Sequence, residues 1–385
     1  MSGAATRQTD RPHVLFAILD WGMGHATRTW PLIIAARRLG ADITIATRGT
    51  AGQWIDARMA EWDSAHPGAL VPWRRIEKPG VTIQYARGAG TLLRIAAQMP
   101  GYLASISAER RWTRATVASL GITHVFSDNC YGCSPGRPEV PSVLLSHQLK
   151  LPVPALLRPL ARAQVRQWAS TFDAVWVPDA TGSPLAGPLS HAVSDPTHYV
   201  GPLSRFQVLE PEAASDALDS ESPVLLGLVS GPEPQRSDME AALRACFQRD
   251  GRPALILAGR PGGGERRNGN VLTVHDADDH RFRRAVLSAQ HIVCRSGYST
   301  LLDLVVLGRT ATLVPTIGQP EQEDLARLWQ QRHGWPTLRA KDIADHTFPD
   351  HTAQPVSCDL SDPATHMQRW LFPDHPTASP TDDDR

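Results

Sequence analysis

The feature that most constrains the fold is an alternation of short apolar, β-branched segments with longer amphipathic segments, which occurs twice along the chain. Such alternation is typical of parallel sheets that carry helices on both faces. Between the two blocks lies a segment, 206–222, whose acidic and small residues are typical of a linker. We therefore predict an α/β protein with two Rossmann-like parallel-sheet domains that face each other across a cleft, over residues 11–205 and 223–372, followed by a disordered tail, 373–385.

The individual elements follow from the period of the apolar residues. In the first block we predict strands at 13–19, 42–46, 123–127, 142–146 and 174–177, and helices at 26–39 and 91–118, the second interrupted at Pro100 and Gly101. In the second block we predict strands at 223–229, 254–258, 271–274, 291–294 and 310–314, and helices at 237–248, 280–289, 299–307 and 321–331. Because ligands bind outside the carboxyl ends of the strands in such sheets, we expect the site in the cleft between the blocks.

Composition and charge narrow the class of protein. The 385 residues are 42% hydrophobic and 20% charged, which excludes a chain that is disordered throughout. No uncharged apolar stretch reaches the roughly 18 residues of a membrane span, and five scattered cysteines do not make a disulfide framework, so we expect a cytoplasmic protein. The net charge is +8 over 1–205 and −8 over 206–385, which indicates two modules with different partners.

The first predicted strand runs into a glycine-containing turn and then directly into a helix. Gly22 and Gly24 let the backbone turn sharply, and the free amides at the helix start can face an anion or a polar ligand. His25 on this turn is placed to titrate near neutral pH and to take a proton from a hydroxyl, with Thr27 and Arg28 beside it on the acceptor side. An equally weighted alternative is a histidine that only hydrogen-bonds the backbone at the helix start.

Three more polar residues follow strands that end at the same edge. Asp128 comes after the strand at 123–127, and His147 and Gln148 come after the strand at 142–146. They can orient a base or hold an acceptor. A Ser-His-Asp hydrolase is less favoured because no Gly-x-Ser-x-Gly elbow is present. A dinucleotide site is disfavoured because Thr27 stands where its fingerprint needs a third glycine.

In the second block, a strand meets a helix through a turn rich in hydroxyl groups. Ser296, Gly297, Ser299 and Thr300 form a tight, capped helix start that suits a diphosphate. Asp303 lies about one helical turn further on, within reach of ribose hydroxyls. The alternative is an ordinary well-capped helix.

Two further segments of the second block carry candidate donor contacts. Gln319, Gln322 and Glu323 cluster after a turn and are suited to hydrogen-bonding a sugar ring, although such clusters are also common at solvated helix starts. The segment 230–236 is too rich in proline for a helix, so we expect a loop from which Arg236 meets phosphate.

Two motifs resemble metal sites without the context that such sites need. Cys130-Tyr-Gly-Cys133 has no second ligand pair at zinc spacing, so we interpret it as a loop. Asp276-Ala-Asp278 precedes a helix, where acids cap the free amides and balance the dipole. We therefore predict neither a metal nor a cofactor.

The segment 73–114 is strongly basic and carries interleaved aromatic and aliphatic residues. An anionic membrane surface at the inner face of the membrane or a phosphorylated acceptor would favour this face, and a solvated helix face is an equal alternative. Nucleic acid is disfavoured as a partner because no nucleic-acid-binding module is present.

Taken together, the segments 22–28, 295–303 and 315–323 resemble the glycosyltransferases of the GT-B fold. The resemblance is greatest to family 28, the family of the enzyme that adds N-acetylglucosamine to the lipid-linked peptidoglycan precursor, and to uncharacterised bacterial and archaeal relatives of it. It spans about residues 13–335 and is stronger in the second block than in the first.

The resemblance implies a nucleotide-sugar donor, usually UDP-linked, held by the second block. It assigns the diphosphate contacts to Ser296, Gly297, Ser299 and Thr300. It assigns the ribose contact to Asp303 and the sugar contacts to Gln319, Gln322 and Glu323. His25 matches the histidine of the family's first glycine loop. The peptidoglycan enzyme has Gln at the position of Glu323 and Glu at that of Asp303, and the first of these differences leaves the sugar open.

The predicted function is therefore a glycosyltransferase of hexosyltransferase type. It would move a sugar to a hydroxyl acceptor without a metal and with inversion at the anomeric carbon. Two alternatives stay open: a nucleotide-sugar epimerase, and a non-catalytic subunit that only binds the nucleotide sugar. The sequence does not identify the acceptor.

Overall fold

The computed structural model describes residues 11–68, 71–81, 91–150, 153, 156, 158–210, 223–231, 233–260, 262–348 and 353–374. Most of the predicted linker and nearly all of the predicted tail lie outside these residues. The described start of the linker is ordered, since Phe206 is buried within a 3₁₀ turn, Arg205–Gln207.

The first block forms a sheet of seven parallel strands in the order β3-β2-β1-β4-β5-β6-β7. Its elements are β1 His13–Ile18, α1 Gly24–Arg38, β2 Asp42–Ala46, α2 Gly49–Ala65, β3 Trp73–Ile76, α3 Thr91–Leu120, β4 His124–Asp128, β5 Ser142–Leu145, α4 Arg158–Ala169, β6 Ala174–Val177 and β7 Thr197–Tyr199. The inner strands are buried almost throughout, because helices cover both faces of the sheet. This burial explains why their apolar runs predicted them.

The second block forms a six-stranded sheet in the order β10-β11-β9-β8-β12-β13. Its elements are β8 Leu225–Leu228, α5 Gln235–Asp250, β9 Ala254–Leu257, β10 Glu265–Asn268, β11 Val271–Val274, α6 Asp279–Ser288, β12 His291–Cys294, α7 Tyr298–Val306, β13 Thr312–Leu313 and α8 Pro320–His333. All pairs are parallel except β10 with β11. The two-sheet α/β prediction is confirmed, with this antiparallel edge as the difference.

Two kinds of departure from the predicted elements have a local cause, namely a polar edge strand and a tolerated proline. The strands β3, β7 and β10 were not predicted. All three lie at sheet edges, where a strand needs no apolar face, and every residue of β10 is exposed. The interruption predicted in α3 is wrong, since the helix continues through Pro100. Pro100 and Gly101 are exposed, so water can satisfy the carbonyl that proline leaves without a donor.

The last helix, α9 Pro363–Leu371, packs on the first sheet rather than the second. The ring of Trp370 lies 5.9 Å from that of Phe126 and 6.2 Å from that of Trp176, and α9 also lies against α1. The predicted boundary 223–372 therefore assigns this helix to a domain that it does not pack on. The amphipathic face of α9 completes the core around α1, a choice that no local pattern specifies.

The strand ends that matter for function meet between the two sheets. The turn after β1 contacts the turn after β12, and the loop after β5 contacts the start of α8. Among the residues that the structure describes, no helix combines the length and the apolar character that crossing a bilayer requires.

Candidate active site

The centre of the site is a histidine held by a buried carboxylate. His25 is the second residue of α1, and Asp128 is the last residue of β4, so the two reach the same sheet edge from neighbouring strands. His25 Nδ1 lies 3.0 Å from Asp128 Oδ1. The Asp128 side chain is fully buried, whereas 16% of the His25 side chain is exposed. The imidazole therefore has one nitrogen anchored in the protein and its ring at the edge of the cleft.

Asp128 is held as a carboxylate by its neighbours. Arg28 Nε donates to Asp128 Oδ2 at 2.9 Å, Arg28 Nη2 donates to Oδ1, and Thr29 Oγ1 donates to Oδ2 at 2.7 Å. Burial alone would raise the pKa of Asp128, but the charges of Arg28 and His25 outweigh it and hold the pKa below its usual value. Arg28 Nη2 also lies 2.9 Å from His25 Nδ1, but this Nη2 donates to Asp128 Oδ1. Because the carboxylate oxygen beside Nδ1 can only accept, we assign the proton of the His25 ring to Nδ1. This assignment leaves Nε2 free to act as a base.

Arg28 also fixes the protonation of a second histidine. Arg28 Nη1 lies 2.7 Å from His147 Nδ1, and because guanidinium can only donate, Nδ1 must accept. The proton of His147 is then on Nε2, which donates to Glu321 Oε1 at 2.8 Å. Burial lowers the pKa of His147, in agreement with a neutral ring. His147 therefore joins the two domains as a neutral donor, and its ring stacks on that of Tyr298 at 4.1 Å.

Glu321 is a site residue that sequence reasoning missed. It lies in the first turn of α8, and its carboxylate accepts the hydrogen bond from His147. Burial raises the pKa of Glu321, but the nearby His147, His25 and Arg28 outweigh it, so the pKa is lowered. Nothing in the sequence pairs positions 147 and 321, and the predicted contacts in this segment were the three residues around it.

The glycines of the first turn allow the two domains to approach closely. Gly22 has a φ of +96°, a conformation that favours glycine. A Cβ at Gly24 would lie 2.8 Å from Ser299 Oγ, which donates to the Gly24 carbonyl at 2.8 Å. Thr27 Oγ1 donates to the same carbonyl at 3.1 Å. The turn that carries His25 is thus joined directly to the start of α7.

The predicted diphosphate turn lies at a helix start that has no side-chain cap. Gly297 is the N-cap of α7 and supplies no side-chain acceptor, so the first amides of the helix have no intrahelical partner. Ser296 is buried and its hydroxyl donates to the Gln322 carbonyl at 2.8 Å, while Thr300 is half-buried. The helix dipole adds positive potential at this point. The turn faces the His25 loop with groups that suit an anion.

Asp303 contacts the other domain. Ser204 Oγ donates to Asp303 Oδ1 at 2.6 Å, and Arg205 lies 3.5 Å from Oδ2. Burial raises the pKa of Asp303 to about 6. The carboxylate that we expected to meet ribose is therefore engaged by the first domain, and its ribose contact stays a prediction.

The three predicted sugar contacts shape their own loop. Gln322 Oε1 accepts from the Thr316 amide at 2.9 Å, and Gln322 Nε2 donates to Gln319 Oε1 at 2.6 Å. Glu323 Oε1 accepts from the Gly318 amide at 3.0 Å. The structure places all three together at the start of α8, beside the cleft. Their contact with a sugar stays a prediction.

Arg236 and Gln148 lie outside the network. We predicted a loop over 230–236, and this prediction is wrong at the end of the segment. The helix α5 begins at Gln235, so Arg236 lies in the first turn of that helix. Arg236 is buried and donates to Glu233 and to the Ala258 carbonyl, so its phosphate contact stays a prediction. Gln148 is half-buried beside His147, and its backbone N–H donates to the Ser146 hydroxyl at 3.2 Å.

The acidic motif at 276–278 and the basic segment 73–114 both contain side chains that bond to other residues of the protein. Asp278 is the N-cap of α6 and accepts from the Arg281 amide at 2.6 Å, which confirms the capping prediction. The basic segment 73–114 is only partly exposed, since Lys78 is buried against Glu109 and Arg75 pairs with Asp56. Part of this segment, 82–90, lies outside the described residues.

Comparisons with known proteins identify the fold. No family model matches the chain, and no curated protein matches its sequence. Solved structures do match over most of their length. Arabidopsis thaliana UGT89C1 complexed with UDP-L-rhamnose has a TM-score of 0.55 at 13% identity, with 94% of this chain and 90% of that chain covered.

Two further matches are similar in extent. CalG4, the calicheamicin glycosyltransferase, has a TM-score of 0.56 at 16% identity, with 94% of each chain covered. The glycosyltransferase SnogD from Streptomyces nogalater has a TM-score of 0.57 at 14% identity, with 94% of this chain and 95% of that chain covered. The chain therefore has the GT-B fold, as the resemblance implied.

Proposed function

We propose that this protein is a glycosyltransferase that moves a sugar from a UDP-linked donor to a hydroxyl acceptor. The observation that carries the proposal is the 3.0 Å contact between His25 Nδ1 and the buried Asp128 carboxylate, at the point where the loops of the two GT-B domains meet. It supports a base aimed at the cleft, which sugar transfer to a hydroxyl requires.

The base works through the fixed tautomer of its ring. Asp128 accepts the Nδ1 proton and leaves the lone pair of Nε2 to take the proton of the acceptor hydroxyl. The imidazolium that forms is stabilised by the carboxylate, which Arg28 and Thr29 keep in place. The acceptor oxygen gains its negative charge only as it attacks the anomeric carbon.

The leaving diphosphate would be stabilised at the start of α7. The free amides there, the helix dipole and the hydroxyls of Ser299 and Thr300 supply positive potential and hydrogen-bond donors without a metal. Ser299 donates to the carbonyl of Gly24, the residue before His25. Base and leaving group thus flank one small volume, which supports direct displacement with inversion.

The nature of the donor is supported by the structural neighbours and the resemblance. UGT89C1 was solved with UDP-L-rhamnose, and the motif strings resemble family 28. We further propose that the donor carries a hexose and that the protein belongs to the family 28 branch. We also propose that the basic segment makes a peripheral contact with a membrane. The resemblance places the ribose at Asp303 and the sugar at Gln319, Gln322 and Glu323.

The test is UDP release as a function of acceptor. We expect UDP to form only when both nucleotide sugar and acceptor are supplied, and His25→Ala to abolish turnover while UDP affinity stays nearly unchanged. His198→Ala, an exposed histidine on β7, is the matched control and should keep full activity. Donor isomerisation without acceptor would indicate an epimerase. Tight UDP binding without either reaction would indicate a binding subunit.

A further inference from the structure

A second cluster, of side chains that can ligate a metal, begins two residues beyond Asp128. The Sγ atoms of Cys130 and Cys133 and a carboxylate oxygen of Glu109 all lie within 4.8 Å of one another, and all three residues are buried. Within the described part of the chain, no other three His, Cys, Asp or Glu side chains come this close. The sequence alone indicated the two cysteines and no further ligand. The fold brings Glu109 of α3 next to them.

The backbone is built to bring the loop onto the helix. A Cβ at Gly132 would lie 2.4 Å from the Ile106 carbonyl oxygen and 2.6 Å from Glu109 Cβ, so only glycine fits at position 132. The Cys133 amide donates to the Cys130 carbonyl at 2.9 Å, which closes the turn. Ser127 Oγ donates to the same carbonyl at 2.8 Å. The thiols and the carboxylate are therefore held together by the main chain.

The charge of the cluster also fits a divalent ion. Lys78 Nζ lies 2.8 Å from Glu109 Oε1 and is buried, so carboxylate and ammonium neutralise each other beside two thiols. One divalent cation that replaces the two thiol protons leaves the net charge of the buried site unchanged. The buried site therefore gains no net charge, which limits the desolvation cost of binding the ion.

We propose that Cys130, Cys133 and Glu109 bind a divalent thiophilic metal ion of the zinc class. Two thiolates and a carboxylate are ligands that Zn²⁺ prefers. On binding, both S–H bonds break, two metal–sulfur bonds form and two protons leave to solvent, with no change in oxidation state. Lys78 stays as the counter-charge to the ligand set.

Space for a fourth ligand adjoins the cluster. A cavity lined by Glu109, Cys130, Tyr102 and Trp21 offers about 10 Å³ to the centre of a water molecule, which is the room that one water needs. A water molecule there would complete a tetrahedral set. The ion would fasten α3 to the loop that follows Asp128 and so position the carboxylate that orients His25.

The first experiment measures metal binding by the full-length protein. After removal of metal with a chelator, titration with Zn²⁺ against a chromophoric competitor is expected to give one equivalent. Co²⁺ is expected to give the thiolate-to-metal charge-transfer band and the visible bands of a tetrahedral site. Cys133→Ser and Glu109→Gln should each weaken Zn²⁺ binding at least about 10-fold. Cys246→Ala, a buried thiol on α5, is the matched control and should bind as the unaltered protein does.

A second measurement does not depend on variants that fold. X-ray absorption at the zinc edge of the loaded, unaltered protein is expected to show two sulfur neighbours and oxygen or nitrogen at the remaining positions. Absence of sulfur neighbours would overturn the proposal. So would failure to take up one equivalent, or a Cys130–Cys133 disulfide in freshly prepared protein that takes up no metal after reduction. None of these outcomes would contradict the sugar-transfer proposal, which rests on the contact between His25 and Asp128.

Discussion

The two domain edges that form the cleft use their polar residues differently. At the first edge, His25, Asp128, Arg28 and His147 form one buried network that includes charged groups. At the second edge, hydroxyls and amides bond to a carbonyl, an amide or a carboxylate of their own loop or of the other domain, as Ser299 does. The first edge is therefore fixed in advance, whereas the second offers hydrogen bonds that a ligand can replace.

The energies of the two kinds of contact differ. Leaving one member of a buried ion pair without its partner costs about 3–5 kcal/mol. A neutral hydrogen bond contributes only about 0.5–1.5 kcal/mol, and water or a ligand can substitute for the lost partner at the cleft. Substitutions at the first edge should therefore have large effects on rate or stability, and those at the second edge small effects on affinity.

The largest expected effect is that of Asp128→Asn on the rate. The amide cannot hold the Nδ1 proton of His25 as a carboxylate does, so the base is left in the wrong tautomer, and kcat should fall by about 10³–10⁴-fold. UDP affinity, measured by calorimetry, should change little. Asp195→Asn, in a surface turn, is the control. A fall in kcat of less than tenfold would show that Asp128 does not orient the base.

Arg28→Met should have the next largest effect, on stability. The substitution leaves the Asp128 carboxylate buried with no full positive charge beside it, so the free energy of unfolding in urea should fall by about 3–5 kcal/mol. Arg111→Met, exposed on α3, is the matched control and should stay within about 0.5 kcal/mol. A loss below 1 kcal/mol for Arg28→Met would contradict the fixed first edge.

Asp303 lies on the second domain and bonds to the first, and its protonation makes the stability of the protein depend on pH. Its pKa is raised to about 6 in the folded protein, so its contribution to stability is complete below the unfolded pKa near 4 and is lost as the pH rises through 6. Asp303→Asn removes this dependence. The difference in unfolding free energy between the unaltered protein and the variant should therefore shift by on the order of 2–3 kcal/mol, in favour of the unaltered protein, from pH 7 to pH 4.

The same difference at both pH values would show that burial does not raise the pKa of Asp303 above its value in the unfolded chain. Asp324→Asn, on the exposed side of α8, gives the baseline for an acid with a half-exposed side chain.

The smallest expected effect is that of Ser299→Ala. Its hydroxyl makes one neutral hydrogen bond, so UDP affinity should fall by about 0.5–1.5 kcal/mol, with kcat at saturating donor nearly unchanged. Ser107→Ala, whose hydroxyl bonds the Leu103 carbonyl on α3, is the matched control for a lost serine bond. A large fall in kcat would show that Ser299 acts like the residues of the first edge. It would contradict the distinction between the first and the second edge.

The sequence by itself determined the elements and the edge at which polar residues gather. All ten predicted strands are present within about two residues of their predicted ends, a normal boundary error. The reason is that buried strands and amphipathic helices leave a periodic signal within a few residues. His25 and Asp128 were predictable as neighbours because both follow strands of one parallel sheet.

Only the tertiary structure decided which distant side chains share a site. Glu321 meets His147 across 174 positions, Glu109 reaches Cys130 and Cys133 from another helix, and α9 returns to the first sheet. Local pattern carries no information about such pairs, because they depend on how whole elements pack. Burial then gives each contact its strength, since a charge removed from water must be matched by whatever group the packing brings next to it.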